Sequence, residues 1–195
     1  MFHLYKIYHI LYCYVNIFKK IIQNQGICNI MTNEKRNIFC KNQIADSFVT
    51  LLKERNIQNI SVTDIVQTAQ VSRISFYRNF KDKEDILRYY ITRETDRWLS
   101  QTTDNYLTLT KESIKPYIVF LLNHMYEYRE ITDILMRDER MYLLEEEFDR
   151  RFFERLADIS SCWQIVYNIG GVYKLFCYWA KTGYKETPQE IAELV

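Results

Sequence analysis

At 195 residues with 48% hydrophobic residues, the chain is long enough to bury a real core, and its 4 Gly and 2 Pro argue against a turn-rich β fold. The formal net charge of +1 excludes a chain that is basic throughout, so any binding to nucleic acid must come from a local patch. The 5 Cys lack C-x-x-C spacing and the 3 His are scattered, which predicts no metal site, no cofactor, and thiols that stay reduced inside a cell.

Residues 1–30 differ from the rest of the chain in being rich in Tyr, Ile, Phe and Asn. The stretch Leu4–Ile22 is long enough for a membrane anchor, but Lys6 and Asn16 interrupt it. A signal peptide is a second interpretation, although no small-residue cleavage site follows. The third, which we favour, is that these residues are translated from A/T-rich non-coding DNA ahead of a natural start at Met31.

Next comes a predicted amphipathic helix near residues 35–54, followed by a short connector and a pair of short helices. The first helix of the pair begins at Ser61, which forms a capping box with Asp64 three residues later. Apolar residues then recur at helical spacing and give this helix one buried face: Val62, Ile65, Val66 and Ala69.

The second helix of the pair begins at Ser72, a good cap, after a turn at Gln70 and Val71. Phe76 and Phe80 lie one helical turn apart, and we expect both to face inward with Val71. The spacing therefore predicts a helix-turn-helix whose second helix keeps one polar face outside.

The side chains left outside suit double-stranded DNA. Arg can hold guanine in a bidentate geometry, and hydroxyl groups and Lys can hold phosphates, which fixes the register without reading sequence. Helix N-termini at Ser61, Ser72 and Asp82 present N–H groups to anions. Spacing alone leaves a capped helical hairpin with a solvated polar face as an equal alternative. The candidate DNA-binding residues are Ser61, Thr63, Ser72, Arg73, Ser75, Tyr77, Arg78, Asn79 and Lys83.

The run from Ala69 to Leu87, Ala-Gln-Val-Ser-Arg-Ile-Ser-Phe-Tyr-Arg-Asn-Phe-Lys-Asp-Lys-Glu-Asp-Ile-Leu, resembles the signature of the TetR family of bacterial transcriptional regulators. Order, spacing and residue types agree together, and the match extends back through the helix near residues 35–54. Gln70 stands where the family usually has Gly, and a left-handed Gln costs roughly 1 kcal/mol, so we expect a slightly reshaped turn.

That resemblance implies an all-α fold. It places an N-terminal three-helix helix-turn-helix DNA-binding domain at residues 31–82, after the doubtful leader at 1–30. A helical-bundle domain at 83–195 is then expected to bind an effector and to form the dimer.

Apolar spacing in the C-terminal part predicts helices alone. They are expected at 82–100, from Ser113 with Pro116 in the first turn, at 131–137, at 141–156, at 162–182 after a cap at Ser161, and from Thr187–Pro188, with a Thr-rich loop at 101–112. Glutamates at 145–147 and arginines at 150, 151 and 155 are expected to form surface pairs worth little each.

Aromatic and polar side chains recur along two of these helices and form a candidate effector pocket. A mostly apolar cavity with a few polar groups suits a small, partly apolar ligand. The alternative is that these residues are plain core, which for any single one is the more frequent role. The candidate residues are Tyr117, Phe120, His124, Met125, Tyr128, Trp163 and Tyr167.

The helix at 162–182 is apolar nearly all round, which predicts burial on all sides. Two glycines at its centre would let a second helix approach closely, and the resembling family dimerises through its last two helices. A local kink at the glycines is the alternative. The candidate dimer interface is Tyr167, Gly170, Gly171, Lys174 and Tyr178.

These expectations describe a cytoplasmic, homodimeric, ligand-responsive transcriptional regulator, in the first instance a repressor, that binds a palindromic double-stranded DNA operator. An activator of the same fold is one alternative. Another is a membrane-anchored protein held by residues 1–22, whereas our interpretation expects no membrane partner. An enzyme is the third, and no reacting group is found for it.

Overall fold

The structure is a computed structural model that describes residues 33–101, 114–156 and 163–195. The expectations for residues 1–30, for the loop after residue 101 and for the caps Ser113 and Ser161 lie outside these ranges. Within them the chain is α-helical and contains no strand, and no helix is long and apolar enough to cross a membrane. The predicted all-α fold is confirmed.

The described helices follow the chain order that the sequence predicts. They are α1 Asn33–Glu54, α2 Val62–Thr68, α3 Arg73–Asn79, α4 Lys83–Gln101, α5 Ile114–Glu127, α6 Arg129–Arg137, α7 Met141–Leu156, α8 Trp163–Lys181 and α9 Pro188–Glu193, with a 3-10 turn at Ile57–Asn59 after α1. Both α1 and α6 begin two residues earlier than expected. By its internal contacts the chain divides into two units, Met1–Asn42 and Gln43–Val195, and α1 begins in the first and ends in the second.

From Gln43 onward, α1, α2 and α3 bury the apolar residues that the sequence spacing marks as their inner faces. Ile44, Phe48 and Leu52 of α1 are fully buried, as are Ile65 of α2 and Phe76 of α3. Burial of large apolar side chains contributes about 1.5–3 kcal/mol each, so these residues hold the two short helices in place.

The C-terminal helices α5, α8 and α9 share a second core around Leu122 and Phe176. The short α9 begins with Thr187 and Glu190 in a reciprocal capping box, with Pro188 as its first residue. It buries Ile191 against this core. The predicted start of the last helix is confirmed.

Helix α8 differs from its prediction, because it is amphipathic and not buried on all sides. Val172, Phe176 and Trp179 are buried, whereas Trp163 is 82% exposed and Tyr167 is 78% exposed. Aromatic residues lie on both faces of α8, so composition alone could not separate the inner face from the outer one.

The charged helix α7 also differs from its prediction of surface pairs. Glu147 is buried, and its carboxylate accepts hydrogen bonds from Arg150, Arg151 and the Thr92 hydroxyl. Burial opposes ionisation, but these hydrogen bonds outweigh it and hold the pKa of Glu147 below its ordinary value. The group is therefore a buried charge held by its partners, and it joins α7 to α4.

Candidate DNA-binding surface and effector cavity

The start of α2 is fixed by the capping box that the sequence predicts. The Ser61 hydroxyl accepts a hydrogen bond from the Asp64 backbone N–H at 3.1 Å, and the Asp64 carboxylate accepts one from the Ser61 N–H at 2.8 Å. The hydrogen bonds from the Ser61 backbone and side chain lower the pKa of Asp64. Ser72 caps α3 in the same manner, accepting from the Ser75 N–H at 3.0 Å.

The turn between α2 and α3 places Gln70 in the left-handed region, with φ of 53°. Its N–H donates to the Gln67 carbonyl at 3.2 Å, and the Val71 N–H donates to the Val66 carbonyl at 3.0 Å. The turn therefore keeps the hydrogen bonds of a helix end, and the expected strain at Gln70 is present.

Helix α3 presents a polar face to solvent while Phe76 and Phe80 lie in the core. Ser72, Arg73 and Arg78 are exposed, and Tyr77 is 63% exposed. Except for Ser75 and Asn79, the candidate residues of α3 therefore share an accessible face.

Ser75 and Asn79 are half-buried. The Asn79 amide donates to the Ser75 carbonyl at 2.8 Å, so this pair lies along the side of α3. Sequence reasoning missed Ile74, which is 72% exposed beside Arg73. The sequence did not indicate that Ile74 is exposed, because aliphatic residues are more often buried.

The structure brings Thr63 of α2 and Arg73 of α3 together. The Arg73 guanidinium donates a hydrogen bond to the Thr63 hydroxyl at 2.6 Å, and this contact is exposed. Two candidate DNA-binding residues from different helices therefore share one patch of surface.

The ammonium of Lys83 is hydrogen-bonded within the protein. Its ammonium donates to the Ile57 carbonyl at 2.5 Å and to the Ile60 carbonyl at 3.0 Å. These are carbonyls of the 3-10 turn region, and a charged donor satisfies them strongly. The structure thus gives Lys83 a bracing role that competes with the predicted phosphate contact. Spacing could not reveal this role, because the partners lie more than twenty residues away.

The turn between α6 and α7 is hydrogen-bonded to the end of α1 and the 3-10 turn. The Arg137 guanidinium donates to the Leu52 carbonyl at 2.9 Å and to the Arg55 carbonyl at 3.1 Å. The side chain of Asp138 is 5% exposed, and its carboxylate accepts from the Ile57 N–H at 3.2 Å. This joint, Arg137 with Asp138, connects the helix-turn-helix region to the C-terminal helices.

A cavity lies among α4, α5, α6, α7 and α8. It encloses an empty volume of about 740 Å³, part of which is open to solvent. Three predicted residues line it, namely His124, Met125 and Tyr128. The remaining lining residues are Tyr90, Ile91, Glu94, Thr95, Trp98, Leu121, Ile131, Thr132, Leu135, Leu144, Phe148 and Phe176.

Four predicted pocket residues do not line this cavity. Tyr117 is buried in the core, and Phe120 packs partly against that core with its ring 6.3 Å from Trp98. Trp163 and Tyr167 lie on the exposed face of α8. Helical spacing identified aromatic positions but could not distinguish those facing the cavity from those facing elsewhere.

Sequence reasoning also missed the contribution of α4 to the cavity. The residues at 90, 91, 94, 95 and 98 line it and recur at helical spacing on one face. That spacing is a usable signal, but the candidate pocket residues predicted from the sequence all lie on later helices.

The His124 imidazole stacks on Trp98, with ring centroids 4.4 Å apart, and meets Tyr128 edge-on at 5.0 Å. Burial lowers its pKa, opposed by the nearby Glu127 carboxylate, whose oxygen lies 3.5 Å from Nδ1. The ring is therefore neutral near pH 7 and forms an aromatic part of the wall.

Glu94 supplies a buried carboxylate to the same wall, being 7% exposed. It accepts hydrogen bonds from Arg93 at 2.9 Å and from Arg97 at 2.8 Å. Arg93 also donates to Asp46 of α1 at 2.6 Å. Among the described residues, no group of three His, Cys, Asp or Glu side chains is arranged to hold a metal ion.

Comparison with known proteins gives one family match and several relatives. Residues 44–90 match the family model described as bacterial regulatory proteins, tetR family. The HTH-type dhaKLM operon transcriptional activator DhaS of Lactococcus lactis subsp. lactis (strain IL1403) is 26% identical over 137 residues, which is 67% of this chain and 70% of that protein. The printed name of that protein describes it as a transcriptional activator.

A second relative is the uncharacterized HTH-type transcriptional regulator YxbF of Bacillus subtilis (strain 168). It is 23% identical over 170 residues, covering 78% of this chain and 43% of that protein. The solved structure of the dihydroxyacetone kinase operon activator DhaS superposes with a TM-score of 0.54 at 18% identity. It covers 80% of this chain and 92% of that one, and the likeness is evidence for the fold.

Proposed function

Because the chain belongs to the TetR family of bacterial transcriptional regulators, we propose that it acts in the cytoplasm as a homodimer that binds a palindromic DNA operator under the control of a small, partly apolar effector. The observation that carries this proposal is the exposed polar face of α3, held outward by the buried Phe76 and Phe80. Two copies of α3 would then enter two half-sites of one operator.

On DNA, Arg73 is the residue proposed to contact guanine, because its guanidinium is exposed and can form a bidentate contact. Tyr77 and Arg78 lie on the same exposed side of α3. The hydroxyl groups of Ser61 and Ser72, which begin the two helices, are proposed to contact phosphates and so to fix the register.

The proposed dimer forms through the outer face of α8. Six of its exposed residues lie on one side of the helix and form one stripe: Trp163, Tyr167, Gly170, Gly171, Lys174 and Tyr178. A row of exposed aromatic rings on one helix is the kind of apolar patch that marks a protein interface. The two glycines leave open space at its centre, where another helix can approach.

The effector is proposed to act through α6. Ile131, Thr132 and Leu135 of this helix line the cavity, and the joint of Arg137 and Asp138 follows directly after them. An effector that binds better to one position of α6 would bias the end of α1, and so the separation of the two α3 helices.

Repression is the outcome that we propose first. A regulator bound to an operator that overlaps a promoter represses transcription simply by occupying that DNA. Activation is the second candidate, because the Lactococcus lactis relative is described as a transcriptional activator. Transcription in vitro from the promoter, measured with and without the protein, distinguishes repression from activation.

The test of the proposed function is binding of the full chain to DNA upstream of its own gene. Fluorescence anisotropy against a scrambled duplex, at several salt concentrations, should give a preference of about a hundredfold or more. Two protomers per site are expected. A chain that binds neither duplex even at low salt would contradict DNA binding by α3.

A further inference from the structure

Ile74, the second residue of α3, is an aliphatic residue that lies outside the core and is 72% exposed. The buried Phe76 and Phe80 hold α3 in the fold, so its packing does not depend on Ile74. Helix formation gives no reason for Ile74 either, because β-branched residues form helices less readily than Ala, Lys or Arg. Single exposed apolar residues are common on protein surfaces, so the meaning of Ile74 depends on the side chains around it.

Ile74 lies near the centre of the exposed face of α3. Successive residues of a helix are rotated by about 100°, which places Ile74 and Tyr77 side by side on this face. Arg73 and Arg78 lie on the two flanks of that pair, and all four residues are exposed. The Tyr77 ring packs edge-on against the buried Phe76, with ring centroids 5.2 Å apart. The surface that α3 presents therefore has an apolar centre bordered by two guanidinium groups.

This combination suits the major groove of double-stranded DNA. Guanidinium groups bind phosphates and guanine, and the apolar group that the floor of the groove presents is the C5-methyl of thymine. An aliphatic side chain packs favourably on that methyl group. Beside another base it would displace water from hydrogen-bonding groups and offer them no partner, which costs free energy. The exposed Ile74 is therefore suited to select thymine.

We propose that Ile74 is a specificity-determining residue that contacts the C5-methyl group of one thymine in each operator half-site. This inference rests on the proposed entry of α3 into the major groove. Because Ile74 follows Arg73 directly, the thymine lies beside the guanine that Arg73 is proposed to contact. An isoleucine side chain is stiff at χ1 in a helix, so little conformational freedom is lost when it packs on the methyl group.

The test removes the methyl group from the DNA without changing any hydrogen-bonding group. An operator is first selected by the full chain from a pool of random duplexes, and each of its thymines is then replaced singly by deoxyuridine. Anisotropy titrations at one salt concentration should find one sensitive thymine per half-site, beside the guanine whose preference Arg73→Ala relaxes. Uracil there should lower affinity about fourfold in one half-site and about 15-fold in both, as expected for the burial of one methyl group per half-site.

Matched variants test whether Ile74 is the residue that contacts this methyl group. Ile74→Ala should bind the thymine and uracil operators equally, at about the affinity of the natural chain for the uracil operator. Ile74→Val keeps a branched aliphatic side chain and should retain most of the preference for thymine. Leu194→Ala, at an exposed aliphatic residue just after α9, is the control and should keep the full preference. Because both positions are exposed, these variants are expected to fold.

The outcomes separate this inference from the proposed function. A selected operator that contains no methyl-sensitive thymine overturns the role of Ile74 and leaves the proposed function intact. The role of Ile74 is also overturned if Ile74→Ala remains as sensitive to uracil as the natural chain, because the methyl group would then contact another residue. A chain that selects no sequence from the pool overturns the proposed function, and this inference with it.

Discussion

The guanidinium of Arg73 donates a hydrogen bond of 2.6 Å to the hydroxyl of Thr63, and so links the first residue of α3 to the second residue of α2. The contact is exposed, so DNA can compete for both groups. It also restricts a long, flexible side chain before DNA binds, which lowers the entropy cost of ordering Arg73 in the complex.

Arg73→Ala should relax operator specificity, because it removes the proposed guanine contact. The preference for operator over scrambled DNA should fall by about 5- to 150-fold, and affinity for scrambled DNA should fall far less. Thr63→Val keeps the guanidinium and removes only its hydrogen-bond partner, so a smaller loss is expected. Anisotropy titrations on both duplexes measure these values, and equal losses on both for Arg73→Ala would contradict a role in sequence reading.

Lys83→Ala should lower the stability of the fold and leave the salt dependence of DNA binding unchanged. Its ammonium holds the carbonyls of Ile57 and Ile60, and loss of hydrogen bonds from a charged donor costs about 1–3 kcal/mol. Urea unfolding measures the stability, with the exposed Lys81→Ala as the control. Arg78→Ala should instead reduce the salt slope by about one, and a reduced slope for Lys83→Ala would restore its candidate phosphate role.

Sequence reasoning succeeded where the cause of a structure is local. The capping box of Ser61 and Asp64 and the inward Phe76 depend on residues a few positions apart. The left-handed Gln70 follows from the family resemblance together with the same local turn. Such features need no knowledge of which helices meet.

It failed where a side chain's partner lies far along the chain. Lys83 and Glu147 were expected at the surface, but distant groups bind and partly bury them. Tyr167 and Tyr128 look alike by spacing, yet the first is exposed on α8 and the second lines the cavity. Which face of a helix meets a neighbour depends on the packing of the whole bundle.

Gln70→Gly should stabilise the protein by up to about 1 kcal/mol. The left-handed φ of 53° costs a residue with a Cβ roughly that much, and glycine adopts it freely. Part of the gain is offset because glycine has more freedom in the unfolded chain. Urea unfolding measures the change, and Gln70→Val should be less stable than the natural chain. A destabilised Gln70→Gly would mean that the Gln side chain makes a stabilising contact.

Gly171→Trp should disrupt the proposed dimer without harming the protomer. A Cβ at this position meets no atom within 4 Å, so a side chain has room within one protomer but not against a second α8. Gly171→Ala should even favour the helix, by up to about 1 kcal/mol. Sedimentation velocity measures the oligomeric state, with Gln189→Trp on the exposed side of α9 as the control. A dimer that survives Gly171→Trp would place the interface elsewhere.

Acidification from pH 7.5 to 5.5 should destabilise the protein through His124. Burial lowers the pKa of His124 in the folded state below its ordinary value of 6.5, so the unfolded state takes up a proton that the folded state does not. Stability is therefore full above pH 6.5 and is lost as the pH falls below it. Glu147 does not contribute in this pH range. Its pKa in the folded state lies below the ordinary value of 4.5, so the stability that it provides is lost only below pH 4.5.

Urea unfolding at the two pH values measures the effect, and comparison with His124→Gln isolates it from other titrating groups. The variant should lose less stability on acidification than the natural chain. Glu127→Gln removes the carboxylate that opposes the shift, so the pKa of His124 should fall further and the loss should become larger. An identical pH dependence in the natural chain and in His124→Gln would contradict this prediction. It would mean that the imidazole is protonated as easily in the folded protein as in the unfolded one. The ring stacked on Trp98 would then not be neutral below pH 6.5.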